Sequence, residues 1–490
     1  MGKKIGWGVG KIITAISAVI AEIFLYLLAT TKMIPTKFMI AGGVILLMMV
    51  ALVGVLTWNT KSKGRYAAGM IVAVLFIAIL GVGCRYVIRT NQTTDRMTSS
   101  RVETTEMGIY VRMEDTNDFS TVAASYTYGI LGELDRENTD TALAQLNEEL
   151  DTTVVTVEYD TITDVVDALL NKDVDAILLN KAYIEIIEEM EGYEDLMTRI
   201  REATLLVAER EVEVELPDTV DPNDAAEVNT TSFSVYLSGI DTYGATSTKS
   251  RSDVNIIATV NTETHQILLV STPRDYFVPL SISNGKEDKL THAGIYGIQV
   301  SMDTLEMLYD IDIDYYFRVN FTGFEAIIDA LGGITVESDY AFTSAHNGYT
   351  FVKGENQMNG EQALSFARER YAFADGDNQR GRDQMLVIKG VVKKLMSPEL
   401  LLNYTSILDA VDGSFETSMS YDMISTLVRN QLDDGSSWEV ITYSATGTGS
   451  SAVPYSMSQT AYVMIPDEAS VETGKELMAA VRNGEVITQP

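Results

Sequence analysis

Three apolar runs, Ile12–Thr30, Phe38–Trp58 and Met70–Ile88, fill most of the first hundred residues and dictate what the start of this chain can become. Each approaches the roughly 17–25 residues that a helix needs to cross a bilayer. A cleaved leader carries one short apolar stretch and a small-residue cleavage site, a pattern that three long runs do not match. Glu22 is the only acid inside any of the runs. At about 2.5–3.5 kcal/mol on insertion scales, it is expected to face the helix bundle as a tolerated polar residue rather than to serve a proton relay.

Lysine and arginine placement orients the helices. Lys3, Lys4 and Lys11 lie at or before the start of the first run, and Lys61, Lys63 and Arg65 fill the second connection, whereas the first connection holds only Lys32 and Lys37. The positive-inside rule expects the N-terminus and the second connection in the cytoplasm, and three crossings then leave everything after about residue 90 outside. Residues 1–98 sum to a charge of +9 and the remaining 392 to −42, a break that separates an anchor from a solvent-facing part.

The lone cysteine, Cys84, sits in the third run, so a disulfide scaffold, a cysteine zinc site and an iron–sulfur centre are excluded. The acidic balance argues against nucleic acid as a partner, because phosphate backbones want a basic face. A hydrophobic share of 46% excludes wholesale disorder.

After the anchor (1–98), residues 99–215 alternate between strand and helix periods. β-type runs at Gly108–Met113, Thr153–Val157, Asp175–Leu179 and Thr204–Val207 are separated by helical stretches at Thr139–Leu150, Ile162–Asn171 and Ala182–Ile200. The pattern predicts a small α/β accessory domain with a partly parallel sheet. Gly129 and Gly132 make Tyr128–Glu133 read as a turn, and no phosphate-gripping glycine fingerprint is present. The domain carries no recognisable chemistry and is expected at most to scaffold partners. Residues 216–231 contain two prolines and little apolar content and read as a linker. The block 232–490 opens with strands at Phe233–Ile240, Val254–Val260 and Ile267–Thr272. Helical patterns follow at Thr304–Tyr309, Gly323–Leu331, Gly360–Arg368 and Asp383–Met396. This predicts an α/β domain with a mixed central sheet flanked by helices.

Asp241 closes the first of these strands and Asp253 opens the second. If the strands pair as a hairpin, both carboxylates stand at one end, where a hard divalent ion takes one or two carboxylates plus substrate phosphate oxygens. Aspartate is also common in turns, so the pair reads either as metal ligands or as loop caps that could be truncated at little cost in packing. Pro273 ends the third strand and leaves Arg274 at the sheet rim. Arg368, Arg370, Arg380 and Arg382 fall within fifteen residues. Such a cluster needs an anion or acids among it; Asp375, Asp377 and Asp383 supply the second possibility. Arg380 and Gln384 are spaced to share a helix face near a helix N-terminus, which attracts phosphate, and arginine's planar fork suits phosphate oxygens.

Other chemistries fail. Asp310, Asp312 and Asp314 imitate a calcium loop, but Tyr315 and Phe321 occupy its sixth and twelfth positions. His265, His292 and His346 share no metal-ligand spacing. There is neither a nucleophile elbow nor a Walker loop.

Asp241 and Asp253, Ser-Thr-Pro-Arg-Asp at 271–275, Lys-Leu-Thr-His-Ala-Gly at 289–294, Asn-Phe-Thr-Gly-Phe at 320–324, Asp-Ala-Leu-Gly-Gly-Ile-Thr-Val at 329–336, and Arg-Glu-Arg at 368–370 followed by Arg380 and Gln384 together resemble a LytR–CpsA–Psr domain. The match spans 232–396, and the three-helix anchor with its accessory domain is similar to the capsule-associated CpsA branch. The resemblance implies a membrane-anchored, Mg²⁺-dependent phosphotransferase on the outer face of a Gram-positive cell. It would move capsular polysaccharide or a similar glycan from undecaprenyl pyrophosphate to peptidoglycan and release undecaprenyl phosphate. By the family's pattern, Asp241 and Asp253 hold Mg²⁺. Arg274, Arg368, Arg370, Arg380 and Gln384 grip the pyrophosphate, with Arg274, Arg370 and Arg380 catalytic, and Lys289 is assigned to the same grip. Asp275 and Asp377 are the candidates for general base. Other capsule-assembly proteins are the expected protein partners. The alternatives are a non-catalytic regulator of capsule expression, against which the small cytoplasmic part argues, and a hydrolase of the lipid pyrophosphate.

Overall fold

The structure is a computed structural model of the 490-residue chain, and it describes residues 2–31, 34–58, 62–97, 101–188, 190–212, 231–242, 249–345, 347–397, 411, 413–457 and 459–490. Lys32, Lys61, His346 and all of the expected linker except Thr231 lie outside the described residues.

The apolar runs form helices α1 (Gly2–Thr30), α2 (Thr36–Thr57) and α3 (Lys63–Met97). Within them, Gly8–Thr30, Thr36–Thr57 and Lys63–Ile88 are long and apolar enough to cross a membrane. The three pack together around Ala21, Phe76 and Leu80. Glu22 is exposed rather than turned into the bundle, contrary to the expectation. The inward stripe of α1 runs through Ser17 and Ala21, one helical turn apart, and the residue after Ala21 is rotated about 100° away from that stripe.

A five-stranded sheet follows, built from β1 (Arg101–Arg112), β2 (Thr127–Leu131), β3 (Val155–Tyr159), β4 (Ala176–Asn180) and β5 (Ile200–Val212). Its order is β3-β2-β4-β1-β5, with β2 parallel to both neighbours and β1 antiparallel to β4 and β5. The segment read as a turn at Tyr128–Glu133 is mostly the interior strand β2. Gly129 there lets Ile177 and Val174 approach so closely that a Cβ would stand 3.2 and 3.3 Å from their side chains. Gly129 serves strand packing, which local turn propensity does not reveal, whereas Gly132 lies in the bend that follows the strand.

The larger sheet has six strands in the order Phe415–Thr417, Tyr315–Val319, β6 (Ser232–Ile240), β7 (Ser252–Asn261), β8 (Gln266–Ser271) and Glu439–Ser444. β6, β7 and β8 are antiparallel in sequence, and the flanking strands Tyr315–Val319 and Glu439–Ser444 run parallel to β6 and β8. The run Ile267–Val270 is buried throughout, as expected for a strand covered on both faces. Leu268 and Val270 pack against the helices Ile298–Tyr309 and Glu468–Arg482, and Ile267 and Leu269 against Met385 and Met423 on the opposite face. This is the mixed sheet between helices that the pattern predicts. Because β6 and β8 run the same way and β7 the other, the end of β6, the start of β7 and the end of β8 share one edge. That edge carries Asp241, Asp253 and Arg274.

Candidate functional site

The β6–β7 hairpin brings Ile240 opposite Ser252, so Asp241 and Asp253 flank its mouth. Arg274 follows Pro273, past the end of β8. Its backbone is strapped in place where Thr291 N–H donates to the Arg274 carbonyl at 2.9 Å and Leu290 N–H to that of Tyr276 at 2.9 Å. The Arg274 side chain is thereby aimed at Asp253, and its Nη1 donates to both carboxylate oxygens at 2.9 Å. Thr291 Oγ1 adds a hydrogen bond to Asp253 Oδ1 at 3.2 Å, and Arg380 Nη1 stands 3.9 Å from Oδ2. Burial works to raise the Asp253 carboxyl, but the charges of Arg274, Arg380 and Arg251 overcome it and hold the group well below the usual carboxylate range. Asp241 goes the other way. Burial and then the neighbouring Asp253 charge push its carboxyl up, against the pull of Arg251, Arg368 and Arg274.

The remaining cations close a ring around the pair. Arg251 Nη2 lies 3.7 Å from Asp241 and Arg368 Nη2 3.9 Å, with the Arg368 guanidinium also 4.0 Å over the Phe321 ring. Arg380 Nη2 meets Asp377 at 2.5 Å. Arg274 Nε faces Asp275 at 3.7 Å and Asp377 at 3.9 Å, and Lys289 Nζ meets Asp275 at 2.9 Å. Both base candidates are therefore held by cations. Arg370 differs: it bonds the Tyr371 hydroxyl at 2.6 Å and has no ion pair with a carboxylate among the described residues. Gln384 stands outside the ring and donates to the Ala367 carbonyl at 3.4 Å, tying its helix to the end of the one that carries Arg368. Arg382 pairs with Asp375 and Gln379. Asp383 is buried against Gln379, and burial pushes its carboxyl up to about 7.

Asp253 is more than a loop cap in position. Its side chain is 15% exposed and meets a buried guanidinium, so truncating it leaves buried positive charge behind. The expectation that either aspartate could be removed cheaply therefore does not extend to Asp253.

Sequence reasoning missed three residues of the site. Arg251 was legible as a base two residues before Asp253. Thr291 lies inside the quoted motif at 289–294. Tyr462, exposed on the strand Ala461–Pro466, feels the charges of Asp275 and Asp377 and had no local signal.

Two buried or half-buried carboxylates whose like charges raise Asp241 form a hard-oxygen donor set suited to Mg²⁺. No group of three or more His, Cys, Asp or Glu able to hold a metal occurs among the described residues, so an ion here would draw further ligands from substrate and water. With both Asp253 oxygens accepting from Arg274, Asp241 offers the freer lone pairs.

Fold and site define a mixed-sheet α/β protein with an arginine-rich carboxylate site, carried behind three helices of membrane-spanning length. The chain belongs to the LytR_cpsA_psr family, whose sequence profile matches residues 196–479. It is 39% identical over 210 residues to the polyisoprenyl-teichoic acid–peptidoglycan teichoic acid transferase TagU of Enterococcus faecalis, covering 42% of this chain and 68% of that one. To TagU of Bacillus licheniformis it is 35% identical over 191 residues, covering 39% of this chain and 61% of that one. The crystal structure of Bacillus subtilis TagV aligns with 53% of this chain and 99% of that chain, at 26% identity and a TM-score of 0.44.

Proposed function

We propose that this chain is a membrane-anchored phosphotransferase that attaches a lipid-linked glycan, of the capsular type, to peptidoglycan. The observation that carries the reading is the ring of Arg251, Arg274, Arg368 and Arg380 around Asp241 and Asp253, with Arg370 free of any carboxylate partner among the described residues. Four guanidiniums converging on two carboxylates suit a doubly charged pyrophosphate better than a solvated face. The relatives' names, which specify polyisoprenyl-linked teichoic acid and peptidoglycan, support the donor and acceptor classes. The capsular glycan rests on the resemblance to the CpsA branch. The outward orientation rests on lysine placement; the pairing of Lys37, in the first turn of α2, with Asp433 of the large domain at 2.7 Å agrees with three crossings, which put that end of α2 and the large domain on one side.

In this reading the donor is glycan–pyrophosphoryl–undecaprenol. An acceptor sugar hydroxyl attacks the phosphorus next to the glycan, the bond to the second phosphate breaks, and undecaprenyl phosphate departs with the electron pair. Such transfers need alignment and charge neutralisation more than covalent catalysis. Arg274, fixed by Asp253, and Arg380, once its pair with Asp377 gives way, stabilise the phosphate oxygens from positions already oriented; Arg370, which has no ion pair with a carboxylate among the described residues, would add charge. Asp241 and Asp253 would hold Mg²⁺, which supplies further neutralisation of the phosphates. Asp377, more exposed than Asp275, is the base placed to take the hydroxyl proton once substrate competes for Arg380.

The test is reconstitution of the full chain in vesicles with a lipid-pyrophosphate oligosaccharide, Mg²⁺ and peptidoglycan. Sugar recovered on peptidoglycan supports the transferase. Free sugar phosphate identifies a hydrolase, and no turnover returns the chain to the regulatory reading.

A further inference from the structure

Between Asp288 and His292 the chain forms a short strap, and every residue inside it touches the frame of the site. Lys289 Nζ meets Asp275 at 2.9 Å. Leu290 N–H donates to the Tyr276 carbonyl and Thr291 N–H to that of Arg274, both at 2.9 Å. Thr291 Oγ1 donates to Asp253 Oδ1 at 3.2 Å. The two end residues meet each other: His292 Nδ1 stands 2.7 Å from Asp288 Oδ1, with side chains 3% and 0% exposed. Asp288 also accepts two backbone N–H groups, Oδ1 from Lys289 at 2.7 Å and Oδ2 from Ser456 at 2.9 Å. With the proton on Nδ1, the tautomer that this network selects, His292 supplies a third donor.

A distant segment seals the pair. Tyr455 N–H donates to the Glu287 carbonyl at 2.9 Å, and Ser456 Oγ lies 3.2 Å from His292 Nδ1. Just past the strap, Gly294 lies against the hairpin that carries Asp253. A Cβ there would stand 2.6 Å from Ser252 N and 2.7 Å from the Ser250 carbonyl oxygen, so the strap and segment 250–253 have no room to shift independently.

We propose that Asp288 and His292 are positioning residues: their buried contact closes the strap and holds Thr291 on Asp253 and on the backbone of Arg274. Both act through the strap rather than on substrate. Removing either partner leaves the other buried without its hydrogen bond, and the strap must open for water to satisfy it. The consequence for binding rests on the pyrophosphate reading above; the clasp itself does not.

The test compares His292→Leu, Asp288→Asn, the double variant and His292→Asn in the full chain in detergent micelles. Backbone hydrogen exchange is read at 290–291 and at 267–270, together with binding of geranyl pyrophosphate in Mg²⁺. His292→Leu and Asp288→Asn should each speed exchange at 290–291 by roughly tenfold while 267–270 is unchanged, since a strap opens locally without global unfolding. Probe affinity should fall about tenfold in the same variants. The double variant should be no worse than either single one, because both act through one contact. His292→Asn, whose side-chain amide N–H can replace Nδ1–H, should recover protection and affinity. Unchanged exchange at 290–291 overturns the clasp, and so does a His292→Asn that behaves as His292→Leu does, since ring bulk would then hold the strap. Faster exchange with unaltered probe binding overturns its service to the site. A wild type that does not bind the probe sinks the pyrophosphate reading and leaves exchange to decide the clasp. Should Asp288→Asn fail to fold, His292→Leu decides, since it leaves both backbone hydrogen bonds of Asp288 in place.

Discussion

Arg274 sets a single nitrogen, Nη1, 2.9 Å from both carboxylate oxygens of Asp253, and turns its Nε toward Asp275 and Asp377. One side chain thus links the hairpin mouth, the rim of β8 and the N-terminal turn of the helix Gly376–Leu395. On the proposed function, a phosphate entering the ring would meet cations already oriented and would compete with Asp377 for Arg380.

The arginine ring should be functionally graded. A charge-assisted hydrogen bond to phosphate is worth roughly 1.5–3 kcal/mol, so Arg274→Ala, Arg370→Ala and Arg380→Ala should each weaken prenyl pyrophosphate binding or turnover about tenfold or more. Arg274→Lys should recover only part of the loss. Arg382→Ala, which breaks outlying contacts with Asp375 and Gln379, should change binding by about twofold or less. Isothermal titration with a short prenyl pyrophosphate checks this, and equal small effects at all four positions would reduce the ring to surface charge.

The two aspartates should separate stability from function. Asp253→Ala strands buried guanidiniums and should cost about 3–5 kcal/mol of stability. Asp241→Ala should cost under about 1 kcal/mol yet remove the Mg²⁺ dependence of turnover. Thermal melting beside a Mg²⁺ titration distinguishes them. Wild-type activity in Asp241→Ala would dismiss it as a metal ligand.

Asp383 makes stability pH-dependent with a defined sign. Burial raises its carboxyl to about 7 in the fold, above the ordinary value near 4. The folded state thus keeps a proton that the unfolded chain has lost, and stability falls as pH rises from about 4 to about 7, then levels off. Asp383→Asn should melt higher than wild type at pH 8, by the equivalent of about 1–3 kcal/mol, and match it near pH 4. A difference independent of pH would show that burial of this carboxyl is not the cause.

Orientation is checked at Lys37. In a Cys84→Ala background, Lys37→Cys should react with a membrane-impermeant maleimide on wall-stripped cells, because Lys37 meets Asp433 of the large domain. Labelling only after permeabilisation would place the large domain inside and remove the proposed function.

The membrane-length helices, the hairpin mouth and the rim position of Arg274 were legible because each is encoded locally: an apolar run, a pair of strands with one loop, a proline at a strand end. Strand β2 was not, since Gly129 signals a turn until Ile177 and Val174 close on it. The exposure of Glu22 depends on which stripe of α1 meets its neighbours. The burial of Asp253 requires Arg274 and Arg380 to arrive from elsewhere in the chain, and Tyr462 reaches the site from some two hundred residues away. Contacts of that separation leave no periodicity to read.

Helix α3 does not stop where its apolar segment ends: it runs from Ile88 to Met97, and only three residues separate it from β1. Nine further residues at 1.5 Å each carry the helix about 13 Å beyond its apolar segment. On the proposed function this post would hold the site close above the bilayer, and the substrates it meets would be those whose head groups protrude that far. On that reading, shortening or lengthening this helical post by a full turn would change which lipid carriers come within reach while leaving every residue of the arginine ring untouched.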